Sequence, residues 1–168
     1  MLHVVPKTID GVFASILEIG VATGVIDRAE RIVAEMKEGF EQIRVRAKDI
    51  RGRPKVYMEE WFSPPMASGN WVPELVEIAG GCEGIARAGE ASEAFDFAAL
   101  TAFDPDVAIF HWCGWGNKFN KRTVSSRPHW DTLRAIREGR AAAGDDSLIN
   151  RPGPRLVTVD HDPTLGVG

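Results

Sequence analysis

The chain has 168 residues, the length of one ordinary domain and enough to bury a core without disulfide staples. Hydrophobic residues at 44% and charged residues at 26% exclude wholesale disorder. With 24 acidic against 20 basic residues and a formal charge of -4, there is no positive field to gather phosphates, and nucleic acid is not an expected partner. Cys82 and Cys113 are too few for a disulfide framework. The opening Met1–Lys7 lacks the charged start, apolar run and cleavage site of a secretory signal, so the polypeptide as written is expected to stay where it is made. No stretch approaches the roughly 18 apolar residues of a membrane span. The aromatics are lopsided, five Trp and eight Phe against one Tyr, which makes the placement of the Trp residues the main question.

The first element in chain order is a short amphipathic helix over 8–20. Thr8 is placed to cap it, Ile9, Val12, Phe13, Ile16 and Leu17 share one face, and Gly20 and Gly24 break it. A second helix starts at Asp27, with Glu30 three residues on as in a capping box, and runs to about Ile50. Ala29, Val33, Met36, Phe40, Ile43, Ala47 and Ile50 follow 4-3 spacing along it, with Ile26 extending the seam backwards. At 1.5 Å per residue its roughly 24 residues span about 36 Å. A long helix laid across a globular body fits it better than a coiled coil, because the seam holds two Ala.

Gly52 and Pro54 switch the pattern. Lys55–Trp61 is a short strand, and a helix starts at Val72, with Pro73 in its first turn and Gly80-Gly81 at its end. Phe95–Phe103 is a further short helix, and the apolar run Val107–Trp112 is a strand buried on both faces. Pro128 opens a helix that carries Trp130, Leu133, Ile136 and Arg137 and stops at Gly139, and Arg140–Ala143 is one more strand. The order β, α, α, β, α, β after residue 52 predicts a three-layer α/β lobe with a mostly parallel sheet, preceded by the long helix.

Ligands of open α/β sheets gather at the carboxyl ends of the strands. Two such exits carry unusual loops, Glu59–Trp71 and His111–Phe119, and both present indoles among Pro, Gly and Ser. Large aromatic faces beside small residues suit a broad, planar, partly apolar ligand. Trp61, Trp71 and Trp115 are therefore candidate ligand contacts, whereas Trp130, inside a helix, reads as core. His111 and Cys113 share one face of a strand but match no zinc spacing. Glu59 and Glu60 are adjacent in a strand and point to opposite faces, so they cannot act as a facing acid–base pair, and a solvated edge is their expected setting. No nucleophile elbow, phosphate loop or dinucleotide fingerprint occurs. No catalytic residue, resident cofactor or protein-held metal is expected.

The run Arg53–Trp61, then Pro64-Pro65, Gly69–Leu75, Ala79-Gly80-Gly81, Asp104-Pro105-Asp106-Val107, Cys113-Gly114-Trp115 and Arg151–Leu156 resembles, in that order, the cobalamin-binding members of the substrate-binding proteins of ABC importers. This is the class for vitamin B12, haem and ferric siderophores, and the likeness covers roughly 6–157. It implies two α/β lobes joined by one rigid helix, with the ligand clasped between them. On that pattern 1–26 is a remnant of the first lobe, 27–52 the bridging helix, 53–157 the C-terminal ligand-binding lobe and 158–168 an irregular tail. Trp61, Pro65, Trp71, Cys113, Gly114 and Trp115 would line the cleft from one side, and Arg151 would meet a ligand amide or carboxylate.

The resemblance also implies a non-enzymatic binder of cobalamin or a related corrinoid, working in the periplasm or at the cell surface and docking on importer membrane subunits. A structural domain that self-associates through its Trp loops, and a haem or siderophore binder, are the alternatives. Three departures stand out. The lobe ahead of residue 6 is missing, Thr158–Pro163 replaces a closing helix, and Ala98 stands where an acidic docking residue belongs, with Glu93 and Asp96 nearby. A bared helix seam predicts a twofold homodimer through Phe40, Ile43 and the Trp loops.

Overall fold

The computed structural model describes residues 2–116 and 120–158. Thr8 caps helix α1 (Ile9–Thr23), its side chain accepting from the Gly11 N–H at 3.0 Å. The helix passes through Gly20, where a break was expected, and stops at Gly24, which takes the left-handed conformation (φ 72°) that costs glycine least. Gly20 is a point of contact instead. A Cβ there would overlap that of Ala29 in the next helix, so its bare backbone lets the two helices meet closely.

Helix α2 (Ile26–Ala47) begins one residue before Asp27 and has no side-chain cap. Asp27 therefore stands inside the first turn, where a carboxylate favours the free N–H groups, with Arg44 and Arg46 in the last turn. Ala29, Val33, Met36 and Phe40 are buried while Ile50 is exposed, so the seam faces the chain's own α1 and the lobe. This corrects the expectation of an open seam at Phe40. Its ring is 2% exposed and lies 6.2 Å from Phe13 of α1, because α1 folds back along α2 and covers the stripe itself. Ile43 is half-buried against the same core.

Beyond α2 come β1 (Val56–Trp61), β2 (Met66–Ala67), α3 (Val72–Ile78), β3 (Glu93–Ala94), α4 (Phe97–Phe103), β4 (Val107–Phe110), α5 (Lys121–Ser125), α6 (Arg134–Arg137), β5 (Ala141–Ala143) and α7 (Asp146–Ile149). The sheet order is β3-β2-β1-β4-β5. The three longest strands, β1, β4 and β5, run parallel, and the two-residue β2 and β3 add an antiparallel edge. The predicted α/β lobe with a mostly parallel sheet is what is found. β2, β3, α5 and α7 carry no periodic signal, being too short to repeat. The single helix expected from Pro128 to Gly139 is split into a 3-10 turn at Trp130–Thr132 and α6, because Leu133 between them is extended.

Alternate strand residues feed two cores. Met58 and the half-buried Ile109 join α1, α2 and α3 on one face, while Tyr57, Ala108 and Phe110 meet Leu100, Trp130 and Leu133 on the other. Each face of the sheet is thus covered by helices, and what stays open is the edge where the parallel strands end. Among the described residues no helix is long and apolar enough to cross a membrane.

Candidate ligand-binding site

Trp61 ends β1 and Trp115 lies in the turn after β4, both at the carboxyl edge of the parallel strands, and they are 45% and 46% exposed. The Trp61 Nε1–H donates to the Ser63 carbonyl at 3.0 Å. Trp115 rests edge-on against Trp112, with centroids 5.2 Å apart, and tilts over Phe62 at 6.2 Å. Phe62 meets Trp112 edge-on at 5.0 Å. The exposed indole is therefore backed by a second aromatic layer.

A buried ion pair holds that layer. Glu59 is fully buried, which corrects the solvated edge expected for it. It lies on the same strand face as Tyr57, two residues before it, and so turns into the second core rather than to water. Its Oε1 accepts from Trp112 Nε1–H at 2.7 Å and its Oε2 from the Tyr57 hydroxyl at 2.8 Å. Arg127 Nη1 approaches both oxygens at 2.9 Å, and Nη2 donates to the Phe62 carbonyl at 2.8 Å. The same guanidinium lies over the rings of Trp130 (4.5 Å), Phe62 (4.6 Å) and Trp112 (5.6 Å). Burial pushes the Glu59 carboxyl up, and Arg127 with the two hydrogen bonds pulls it back. Burial also raises the Tyr57 phenol well above its ordinary value. Arg127 had no signal in the sequence, since nothing in a lone Arg before Pro128 says which strand it will reach.

The other face of the strand ends carries a second network. Asn150 Nδ2 donates to the His111 carbonyl at 3.0 Å and to Cys113 Sγ at 3.1 Å, which turns its Oδ1 to His111 Nδ1. The ring proton is thereby assigned to Nδ1, and Nε2 accepts from Ser68 Oγ at 2.7 Å. Burial lowers the His111 pKa, and burial with the nearby Glu60 raises that of Cys113, so the imidazole and the thiol are both neutral near pH 7. His111 and Cys113 do share a face, and Asn150 satisfies both. Among the described residues no three His, Cys, Asp or Glu side chains gather to hold a metal.

The sequence candidates divide. Trp61, Gly114 and Trp115 stand exposed at the strand ends, and Pro65 is half-buried in the loop after β1. Cys113, also half-buried, donates to Glu60 at 3.6 Å. Arg151 is exposed and follows Asn150, so it belongs to the same edge. Trp71 does not join them. It is 7% exposed, packs in the core with α1 and α2, and donates its Nε1–H to the Ile149 carbonyl at 2.9 Å. A position directly before α3 turns it inward. Asn117–Phe119 and the tail from residue 159 onward lie outside the described residues. A cleft of about 660 Å³ between α1, α2 and α3, lined by Lys37, Arg44, Arg53 and Glu74 among others, shares no residue with the Trp edge.

A sheet edge that presents two exposed indoles, one of them seated on fixed aromatic rings, has the makings of a binding wall. Residues 4–148 match the family model described as periplasmic binding protein, and the chain belongs to that family of solute-binding proteins. No curated protein matches the chain. Solved structures of similar fold include a possible iron-binding periplasmic protein from Staphylococcus epidermidis ATCC 12228 (TM-score 0.77, 19% identity, 93% of this chain and 61% of that one). The periplasmic heme-binding protein RhuT from Roseiflexus sp. RS-1 (0.76, 22%, 90% and 60%) is another. So is the periplasmic vitamin B12 binding protein BtuF of Vibrio cholerae (0.69, 14%, 92% and 59%). At these identities the likeness is one of fold, and the chain spans about three fifths of their length.

Proposed function

We propose that this chain supplies the bridging helix and C-terminal lobe of a substrate-binding component of an ABC importer, and that Trp61 and Trp115 face a corrinoid such as cobalamin. The observation that carries the proposal is the pair of indoles, each nearly half exposed at the ends of adjacent parallel strands and, for Trp115, backed by Trp112 and Phe62. Exposed rings held rigid beneath bind a flat macrocycle at little entropic cost.

Haem is the second candidate, because the Roseiflexus protein of like fold is a heme-binding protein. Haem iron takes a side-chain axial ligand such as His or Tyr. Tyr57, the one Tyr of the chain, and His111, directly after β4, are both fully buried and hydrogen-bonded. A corrinoid, which carries its own axial groups, makes no such demand. Docking on membrane subunits would fall to Glu93 and Asp96, since Ala98 is uncharged.

Titration calorimetry with cyanocobalamin and with hemin tests the proposal. If the ligand is clasped between two lobes, as the resemblance implies, these 168 residues offer it one wall, so cyanocobalamin should bind them in the micromolar range or weaker, not at the nanomolar level of about -12 kcal/mol. Nanomolar binding by a monomer overturns the one-sided account, and tighter binding of hemin reassigns the ligand. Light scattering that shows a dimer indifferent to both would favour the self-associating alternative.

A further inference from the structure

We infer that Asp146 is the positioning residue of Trp115, its carboxylate setting where that indole stands. Gly114 and Gly116 flank Trp115 at φ 80° and 60°, and a Cβ at either would meet nothing within 4 Å. A turn of this kind has no stiffness of its own, because glycine has the most conformational freedom to lose. Yet its three successive amides are all held. The Trp115 N–H donates to the Trp112 carbonyl at 3.0 Å. The amides on either side converge on one group, Gly114 N–H donating to Asp146 Oδ2 at 2.9 Å and Gly116 N–H to Oδ1 at 2.7 Å.

Asp146 is 8% exposed and stands in the first turn of α7, but it does not cap that helix. Asp145 does so, accepting from the Ser147 N–H at 2.8 Å. Both Asp146 oxygens are therefore available to the loop. Hydrogen bonds to an ionised carboxylate are about twice as strong as neutral ones, and more so where water is excluded. The clamp thus ties the turn after β4 to the segment after β5 and leaves one side of the indole open. The ligand side of this inference rests on the function proposed above, while the clamp itself is independent of it.

Amide hydrogen exchange followed by NMR on the ligand-free chain, with cyanocobalamin titrations alongside, tests both parts. In the wild type Gly114 and Gly116 should be protected. In Asp146→Asn, which offers one acceptor to two donors, their exchange should speed up at least about tenfold. The cyanocobalamin Kd should weaken by a similar factor with little change in Tm, and Asp146→Glu should recover part of the loss. Unchanged exchange in Asp146→Asn, faster exchange with unchanged affinity, or unprotected glycine amides in the wild type would each overturn the inference. The last readout decides the matter even if the variant does not fold. A wild type that binds no cyanocobalamin at all refutes the proposed function, while the exchange data still judge the clamp.

Discussion

The Trp residues of this chain fall into two groups that the same side chain serves in opposite ways. Trp71, Trp112 and Trp130 are 7%, 2% and 4% exposed, whereas Trp61 and Trp115 are 45% and 46% exposed. The buried three fasten layers together: Trp71 ties the start of α3 to Ile149 at the end of α7, and Trp112 gives its N–H to Glu59. The exposed two stand where the parallel strands run out and, among the described residues, no helix covers the sheet. An indole therefore acts as core or as surface according to whether the next layer passes over it. The buried group also supports the exposed one, since Trp112 is the seat of Trp115.

The hardest blow to this arrangement is to unpair the buried charge. Arg127→Met leaves the Glu59 carboxylate without its cation and should cost about 3–5 kcal/mol, a fall in Tm of roughly 10 °C in a chain of this size. Thermal melts that move by a degree or less would show that the pair does not hold the aromatic layer. Trp130→Ala removes a ring packed against Tyr57, Phe97 and Phe110, and an unfilled cavity should destabilise by a similar ~3–5 kcal/mol. Trp71→Ala belongs with it, and either variant that retained full stability while losing ligand would put its Trp in the wrong group.

The exposed pair should behave in reverse. Trp115→Ala is expected to weaken cyanocobalamin binding by about 2 kcal/mol, as anchors do, with Tm nearly unchanged. Calorimetry on Trp61→Ala beside it shows whether the two share the load.

A further effect concerns pH and separates stability from site. Burial raises Glu83 to about 7, against the pull of the Ile85 and Ala86 amides. Its folded pKa lies above the unfolded one, so the native state holds the proton longer. Stability is therefore lost as pH climbs from about 4.5 to 7 and is level above that. His111, lowered by burial, works the other way, losing stability as pH falls below its ordinary value of 6.5. Comparing Glu83→Gln with the wild type isolates the first effect: the variant should show a Tm gain that grows from pH 4.5 to pH 7. A constant difference across that range would mean that Glu83 titrates normally.

Much of the fold was legible in the sequence because it rests on repetition. The 4-3 stripe of α2 and the apolar run of β4 each present several residues to one environment, so a pattern accumulates along the chain. The Thr8 cap and the two exposed Trp at strand ends were readable for the same local reason. What only the tertiary structure decided are single contacts between distant residues. Arg127 meets Glu59 across 68 positions, Trp71 reaches Ile149 across 78, and Asp146 grips the turn around Trp115 from about 30 away. Whether Glu59 is solvated, or Phe40 open, depends on which layer folds over it. A single burial event of this kind leaves no period, because its energy comes from neighbours that the chain supplies elsewhere.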